Sequence, residues 1–312
     1  MAAFSYSAPR FTEEDLQQEI LSLSTEEREL IDRELKGSDI IPNDEEDEER
    51  KESYFSRIEE ELEQIPVEDK IEYEEALIHV PELVESESSV MKFLQKQNYN
   101  VQAAARNLVS YWEIRVKVFG RDRAFLPMTL GGAMQDEFDA LSTGFFQILG
   151  TDAHGRAILF HEKPRANPQR HHRNSLLKCV FYILHVATSD LQIQKKGAVL
   201  INNFGTATMK DFDRLYAKTC ADIGIWGTVQ VKALHIPNSR NWLIPASLIT
   251  PVMLAVISKY FRVRRNMYSS VEELEDYGLS LTEILSARSQ IRNDEMFERW
   301  LEDQAQRERD NI

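Results

Sequence analysis

Along the first 88 residues, apolar side chains recur at helical spacing on otherwise polar segments: Leu16, Ile20 and Leu23, then Leu30, Ile31 and Leu35. Each set is preceded by a hydroxyl and a run of acids, Thr12-Glu13-Glu14-Asp15 and Ser24-Thr25-Glu26-Glu27. A hydroxyl there can cap the first free backbone N–H groups, and the acids suit the positive end of the helix dipole. The pattern predicts two short helices with narrow apolar stripes. From Asn43 to Glu52 the run NDEEDEERKE has no apolar residue and reads as a solvated linker. Tyr54, Phe55, Ile58, Leu62 and Ile65 then resume helical spacing up to Pro66, which leaves open whether that helix docks or floats.

From Val90 the texture is that of a core. Val90, Met91, Phe93 and Leu94, followed by Val101, Ala104, Ala105, Leu108, Val109, Trp112 and Ile114, form two apolar helical stripes separated by the turn-like Gln97-Asn98-Tyr99-Asn100. Beyond them the period shifts to strands at Phe145–Leu149, Arg156–Phe160, Gly197–Ile201 and Val229–His235. Helical segments lie between, roughly Ser175–Ser189, Thr208–Cys220 and Pro245–Phe261. Continuous apolar strands alternating with helices predict an α/β layer with a mostly parallel sheet. The segment TDAHGRA is a tight turn, so the first strand pair is expected to be antiparallel.

Charge divides the chain. The whole carries −15, but residues 1–88 hold 29 acidic against 8 basic side chains, a balance of −21, so the rest is at +6. Between Gly155 and Ser270 the balance is +12, with five histidines in addition. An acidic arm precedes a cationic body. At 42% hydrophobic content the chain can bury a large core. Two cysteines, Cys179 and Cys220, are too few for a disulfide framework or a zinc site and read as reduced, buried thiols. With no apolar stretch in MAAFSYSAPRF, a cytoplasmic protein is expected.

The usual catalytic signatures are missing: no Gly-x-Gly-x-x-Gly, no phosphate-binding loop, no Gly-x-Ser-x-Gly and no His-Glu-x-x-His occurs. His171-His172, beside His161 and His154, lies among Arg165, Arg170 and Arg173, whose charge opposes a divalent cation; a basic solvated loop is the better reading. Asp211 and Asp213, two apart, do not share a helix face and read as capping or surface groups. We therefore expect no enzyme, no metal and no cofactor. Aromatic residues within the basic stretch read as core, which disfavours nucleic acid.

One segment stands out. Asn241 to Ser258, NWLIPASLITPVMLAVIS, has no charge over 18 residues. A membrane span needs about 20 predominantly apolar residues, and Pro245, Pro251 and several polar side chains interrupt this one. What remains is a helix from about Pro251 to Phe261, apolar almost all round, which must bury every face. It is either a central core helix or a cover over a cavity with one face able to enter a bilayer. Lys259, Arg262, Arg264 and Arg265 follow at once. Four cations at an anionic membrane surface contribute about 1 kcal/mol each, enough for reversible contact.

The order of segments resembles the Sec14-like, or CRAL-TRIO, lipid-transfer proteins. VMKFLQKQNYNVQAAARNLVSYWEIR resembles the family's N-terminal helical subdomain at Phe93-Leu94, Trp112 and Arg115, with Gln95 and Gln97 in place of arginines. TDAHGRAILF resembles its Asp-x-x-Gly-Arg strand entry, GAVLINNFGTATMKDF its sheet-centre strand, and VQVKALHIPNSRNWLIPASLITPVML its strand, loop and gate helix. The stretch covered runs from about Val90 to Gly278. The resemblance implies a CRAL-TRIO α/β fold in which a mostly parallel five-stranded sheet floors a hydrophobic pocket. A gate helix around Pro245–Phe261 closes it, so Leu248, Val252, Met253 and Leu254, with Val256, Ile257 and Phe261, are the expected pocket and gate residues. It also implies one bound lipid or isoprenoid, exchanged with membranes.

For the headgroup, the resemblance to the tocopherol-transfer branch points to Arg106, Arg115 and Lys232, a set able to meet a phosphoinositide. The positions that carry the inositol-lipid motif in another branch are Thr228, Val229 and Thr250 here. The expected organisation is an acidic extension over 1–88, a helical subdomain over 89–125, the lipid-binding domain over 126–280 and a polar helix over 281–312. The expected partners are a lipid ligand and an anionic membrane surface met peripherally. The alternative is an adaptor of the same fold, whose acidic arm binds a protein partner or folds back on the cationic body.

Overall fold

The computed structural model describes residues 11–36, 48–162, 165–166, 170–203, 212–237, 254–267, 272–279 and 290–310. Both hydroxyl-and-acid signals start helices. At α1 (Glu13–Leu21) the Thr12 hydroxyl accepts the Asp15 N–H at 3.1 Å while the Asp15 carboxylate accepts the Thr12 N–H at 2.7 Å. At α2 (Thr25–Lys36) Ser24 and Glu27 make the same reciprocal pair, at 3.1 and 2.7 Å. The acidic run does not stay a linker to its end: α3 (Glu48–Gln64) begins inside it. Glu, Arg and Lys are good helix formers, and Ile58, fully buried, anchors this helix on the core.

Then follow α4 (Ile71–His79), α5 (Pro81–Glu87), α6 (Val90–Lys96), α7 (Val101–Phe119) and the short α8 (Arg121–Ala124) and α9 (Phe138–Leu141). The stretch read as a turn before α7 is one, with Asn98 and Tyr99 at positive φ. The Asn100 side chain caps α7 through the Ala103 N–H, and Gly120, at φ 74°, ends it. Tyr73, Ala76 and Val84 share one core with Phe93, Leu108 and Trp112. The acidic region from α3 onward is therefore docked, and the expected boundary at residue 88 divides helices that pack together.

The sheet has five strands in sequential order: β1 (Phe146–Thr151), β2 (Ala157–Glu162), β3 (Ala198–Asn203), β4 (Val231–Ile236) and β5 (Arg265–Met267). β1 is antiparallel to β2, as the turn predicts, and β2 to β5 are parallel. Helices α10 (Arg173–Ala187) and α11 (Leu191–Lys196) carry the chain from β2 to β3; α12 (Arg214–Trp226) lies between β3 and β4, and α13 (Lys259–Val263) precedes β5. The strand β5, three residues long and basic at its start, has no alternation that the sequence pattern could reveal. The polar terminal helix expected over 281–312 is present as α14 (Gln290–Asp310); 281–289 and 311–312 lie outside the described residues. The helix expected over Thr208–Cys220 instead runs from Arg214, where Asp213 accepts the Leu215 and Tyr216 N–H groups at 3.0 Å. Asp213 is thus a cap; Asp211 lies outside the described residues. The histidine stretch is not wholly solvated, since His171 is buried.

Strand alternation gives the sheet two apolar faces. Ile158, Phe160, Val199, Ile201 and Ala233 form one cluster with Leu274 and Leu279, backed by Leu35 of α2. Ala157, Leu159, Ala198, Val231, Leu234 and Ile236 join the main core with α10 and α12. The tight turn between β1 and β2 is held by Asp152, which accepts the His154 and Arg156 N–H groups at 2.9 Å each and the Arg156 Nε–H at 2.7 Å. Gly155 takes φ +78° there, a conformation that a side chain would strain.

Two buried cations join the helical part to the rest. Arg115 is fully buried: it donates to Glu87 at 2.5 Å, to the Tyr111 hydroxyl at 2.9 Å and to the Leu126 carbonyl at 2.8 Å, over the Trp112 ring at 4.8 Å. Glu87 also accepts the Met128 N–H at 2.7 Å. Burial opposes the Glu87 charge, but Arg115 and this N–H outweigh it and hold the carboxyl below its ordinary range. Lys96 donates to the Ile225 and Gly227 carbonyls at the end of α12, where a cation meets the negative end of the dipole. Burial pushes its amine down to about 7.

Replacing Arg115 by Met leaves the Glu87 carboxylate buried without its cation. Urea unfolding at neutral pH is expected to show a loss of about 3–5 kcal/mol, recovered in good part by adding Glu87→Leu; an unchanged midpoint in the single variant would contradict the network. Lys96 gives a pH signature. The unfolded chain holds that proton up to about 10.5, the folded one only to about 7, so stability from this group rises with pH across that window and is lost on lowering it. Lys96→Met is expected to flatten the slope of stability against pH between those limits.

Candidate functional site

The apolar segment returns to view at Leu254, which is buried, with Val256 and Ile257 half-buried and Phe261 buried. Leu248, Val252 and Met253 lie outside the described residues. Where a helix was expected to run unbroken to Phe261, the chain turns at residues 255–258 and α13 begins anew at Lys259. The reason is local: the Arg262 guanidinium reaches back to the Leu254 carbonyl at 3.2 Å and to that of Ile257, taking up carbonyls that the break leaves open. Tyr260 donates its hydroxyl to the Val231 carbonyl of β4 at 2.9 Å. Phe261 packs against Gly224 of α12, where an added Cβ would stand 3.0 Å from its ring. Ile257, Tyr260 and Phe261 thereby join the core on the α10 and α12 side of the sheet.

On that side the middle strand is incompletely covered. Leu200 and Asn202 of the middle strand are only half-buried, while Val199 and Ile201 on the opposite face are fully buried. A polar group adjoins them: His161 Nδ1 lies 2.8 Å from Asn202 Oδ1, and His161 Nε2 lies 3.5 Å from the Tyr216 hydroxyl.

Of the four cations after the apolar segment, three arginines are met by acids of the N-terminal helices and Lys259 by a hydroxyl just after α1. Arg262 donates to both oxygens of Glu19, at 2.9 and 2.6 Å, and stacks on Phe11 at 4.3 Å. Arg264 donates to Glu34 at 2.7 Å and lies over the Tyr260 ring at 4.1 Å. Arg265 approaches Glu13 at 3.8 Å, and Lys259 donates to the Ser22 hydroxyl at 3.2 Å. These contacts are unequal. The Glu34 side chain is only 2% exposed, and its backbone carbonyl also receives Arg156. Glu13 is 68% exposed, and such an exposed pair contributes about 0–1 kcal/mol.

The three residues grouped by resemblance into one basic groove stand in three settings. Arg115 is sealed in the Glu87 network and Lys232 is 6% exposed on β4, so neither reaches a headgroup at the surface. Arg106 is exposed on α7, but in a groove of about 760 Å³ that it shares with Glu61, Glu68, Glu72 and Glu113, an environment that repels phosphate. The sequence reading missed the acids that matter, Glu13, Glu19 and Glu34; it had the arm's total charge but no signal of which carboxylate meets which cation.

No family model matches the chain, and no curated protein matches it. Among solved structures, the crystal structure of Sfh5 is similar with a TM-score of 0.42 and 11% identity, over 72% of this chain and 83% of that one. A likeness at that level carries no functional argument. No helix among the described residues is long and apolar enough to cross a membrane.

The two arginine pairs are expected to separate on mutation. Arg264→Ala leaves Glu34 buried and unpaired and should cost about 3 kcal/mol or more, whereas Arg262→Ala, in a more exposed pair, should cost about 1–2 kcal/mol. Chemical denaturation of both variants checks the order; equal losses would contradict it.

Proposed function

We propose that the protein is a non-enzymatic, Sec14-like lipid-binding protein that shields one apolar lipid or isoprenoid and exchanges it with membranes. The observation that carries this reading is the placement of Leu254–Phe261. These residues include the end of the 18-residue uncharged run, lie on the side of the sheet where Leu200 and Asn202 are half-buried, and bring Lys259 with them, with Arg262, Arg264 and Arg265 directly after. An apolar ligand on that face is withdrawn from water, and displacing the segment over it exposes apolar area at about 25 cal/mol per Å². A bilayer that receives the displaced side chains removes that cost, which confines opening to the membrane surface. The ordered motifs from Val90 to Gly278 and the five-stranded sheet with one antiparallel edge agree with this reading.

Docking then rests on the cations of α13 and β5 and on general attraction to anionic lipid, with the protein cytoplasmic and peripheral. A separate phosphoinositide groove has no support from Arg115 or Lys232, which are buried. The adaptor alternative draws on the same acidic arm, but α1 and α2 already occupy the cationic face of their own chain, which favours a role within the molecule over one with an outside protein.

Mass spectrometry of organic extracts of the protein purified from its own cytosol is expected to find one lipid species in near-equal proportion to protein. Val256→Asp, at a half-buried site, is expected to stop extraction of that lipid from vesicles while leaving the unfolding midpoint little changed. An empty protein, or normal extraction by the variant, would overturn the reading.

A further inference from the structure

We infer that α1 is a removable cover over the cationic face of α13 and β5, that its carboxylates stand where an anionic lipid surface docks, and that α2 stays in place when it leaves. The inference rests on the membrane-docking reading above and adds the element that regulates it. Glu19 presents two oxygens to the Arg262 fork at 2.9 and 2.6 Å, the geometry in which a guanidinium also takes two phosphate oxygens. Glu13 faces Arg265 and Ser22 faces Lys259, so three of the four cations are met from α1 and the residue just after it.

The two acidic helices are held very differently. α1 is nine residues long with a single buried residue, Leu16, and it leaves Leu21 exposed. α2 buries Ile31 and Glu34, places Leu35 against the apolar cluster of the sheet, and is pinned by Arg264 and Arg156. Ser22-Leu23-Ser24 separates the helices, so α1 can depart without disturbing Glu34. Lipid is favoured over a soluble polyanion because half-buried Val256 and Ile257 immediately precede the covered cations. A surface that offers phosphates and a place for apolar side chains answers both.

The test uses the full chain and vesicles of phosphatidylserine and phosphatidylcholine in equal parts, with pure phosphatidylcholine as the neutral reference. Glu13→Gln with Glu19→Gln uncovers Arg265 and Arg262. Glu14→Gln with Glu29→Gln removes the same charge from exposed positions that make no ion pair among the described residues. The first pair is expected to raise affinity for the anionic vesicles about five- to tenfold, more at low salt than at high, and the control pair to leave it within about twofold. Equal gains in the two variants would overturn the cover. Equal binding to neutral vesicles, or tight binding to a polyglutamate peptide without binding to vesicles, would overturn the lipid partner. In the unsubstituted chain, hydrogen exchange over residues 13–21 should quicken with anionic vesicles while α2 keeps its protection; unchanged exchange in α1 would overturn the mechanism. Normal lipid extraction by Val256→Asp would defeat the transfer reading alone and leave these binding results standing.

Discussion

Glu34 ties together parts of the chain that lie 230 and 122 positions away from it. Its carboxylate takes the Arg264 guanidinium and its backbone carbonyl takes that of Arg156. A buried carboxylate without a cation costs several kcal/mol, so Arg264 is held to α2 and cannot point elsewhere. Because Arg156 is in turn locked by Asp152 in the turn between β1 and β2, α2 is fixed to the sheet. The direction in which α13 and β5 present their remaining cations follows from that arrangement.

The same chemistry, placed nearer the surface, has a different consequence. Arg262 and Arg265 are paired as Arg264 is, but with carboxylates on a helix that buries one side chain. Desolvation makes the inner pair costly to break, and solvent screening makes the outer pairs exchangeable. A series of ion pairs between one acidic arm and one basic turn therefore divides into a structural joint and a surface contact. Net charge alone draws no such distinction.

Much of the fold was legible in the chain. Apolar stripes gave α6 and α7, continuous apolar runs gave four of the five strands, and TDAHGRA gave the antiparallel edge, because in each the side-chain period is set by the element's own geometry. The caps at Thr12, Ser24 and Asp213 were legible because they are satisfied by neighbours two or three residues away. β5 was not, since three residues carry no period and pairing with β4 defines it. Nor was the break after Leu254: the apolar run continues through it, and only the return of Arg262 to the carbonyls of Leu254 and Ile257 makes the turn.

The candidate site divides in the same way. That a long uncharged segment is followed by four cations, and that an acidic arm precedes a cationic body, is written in residue order. Which cations are available is not. Arg115 and Arg262 look alike in the sequence, yet one is enclosed with Glu87 and Trp112 and the other lies under Glu19. Composition and periodicity report what each residue can do and which local element it joins. Burial and the partner of each charge depend on contacts between segments far apart in the chain, and the energy of an ion pair is decided by the solvent that such contacts exclude.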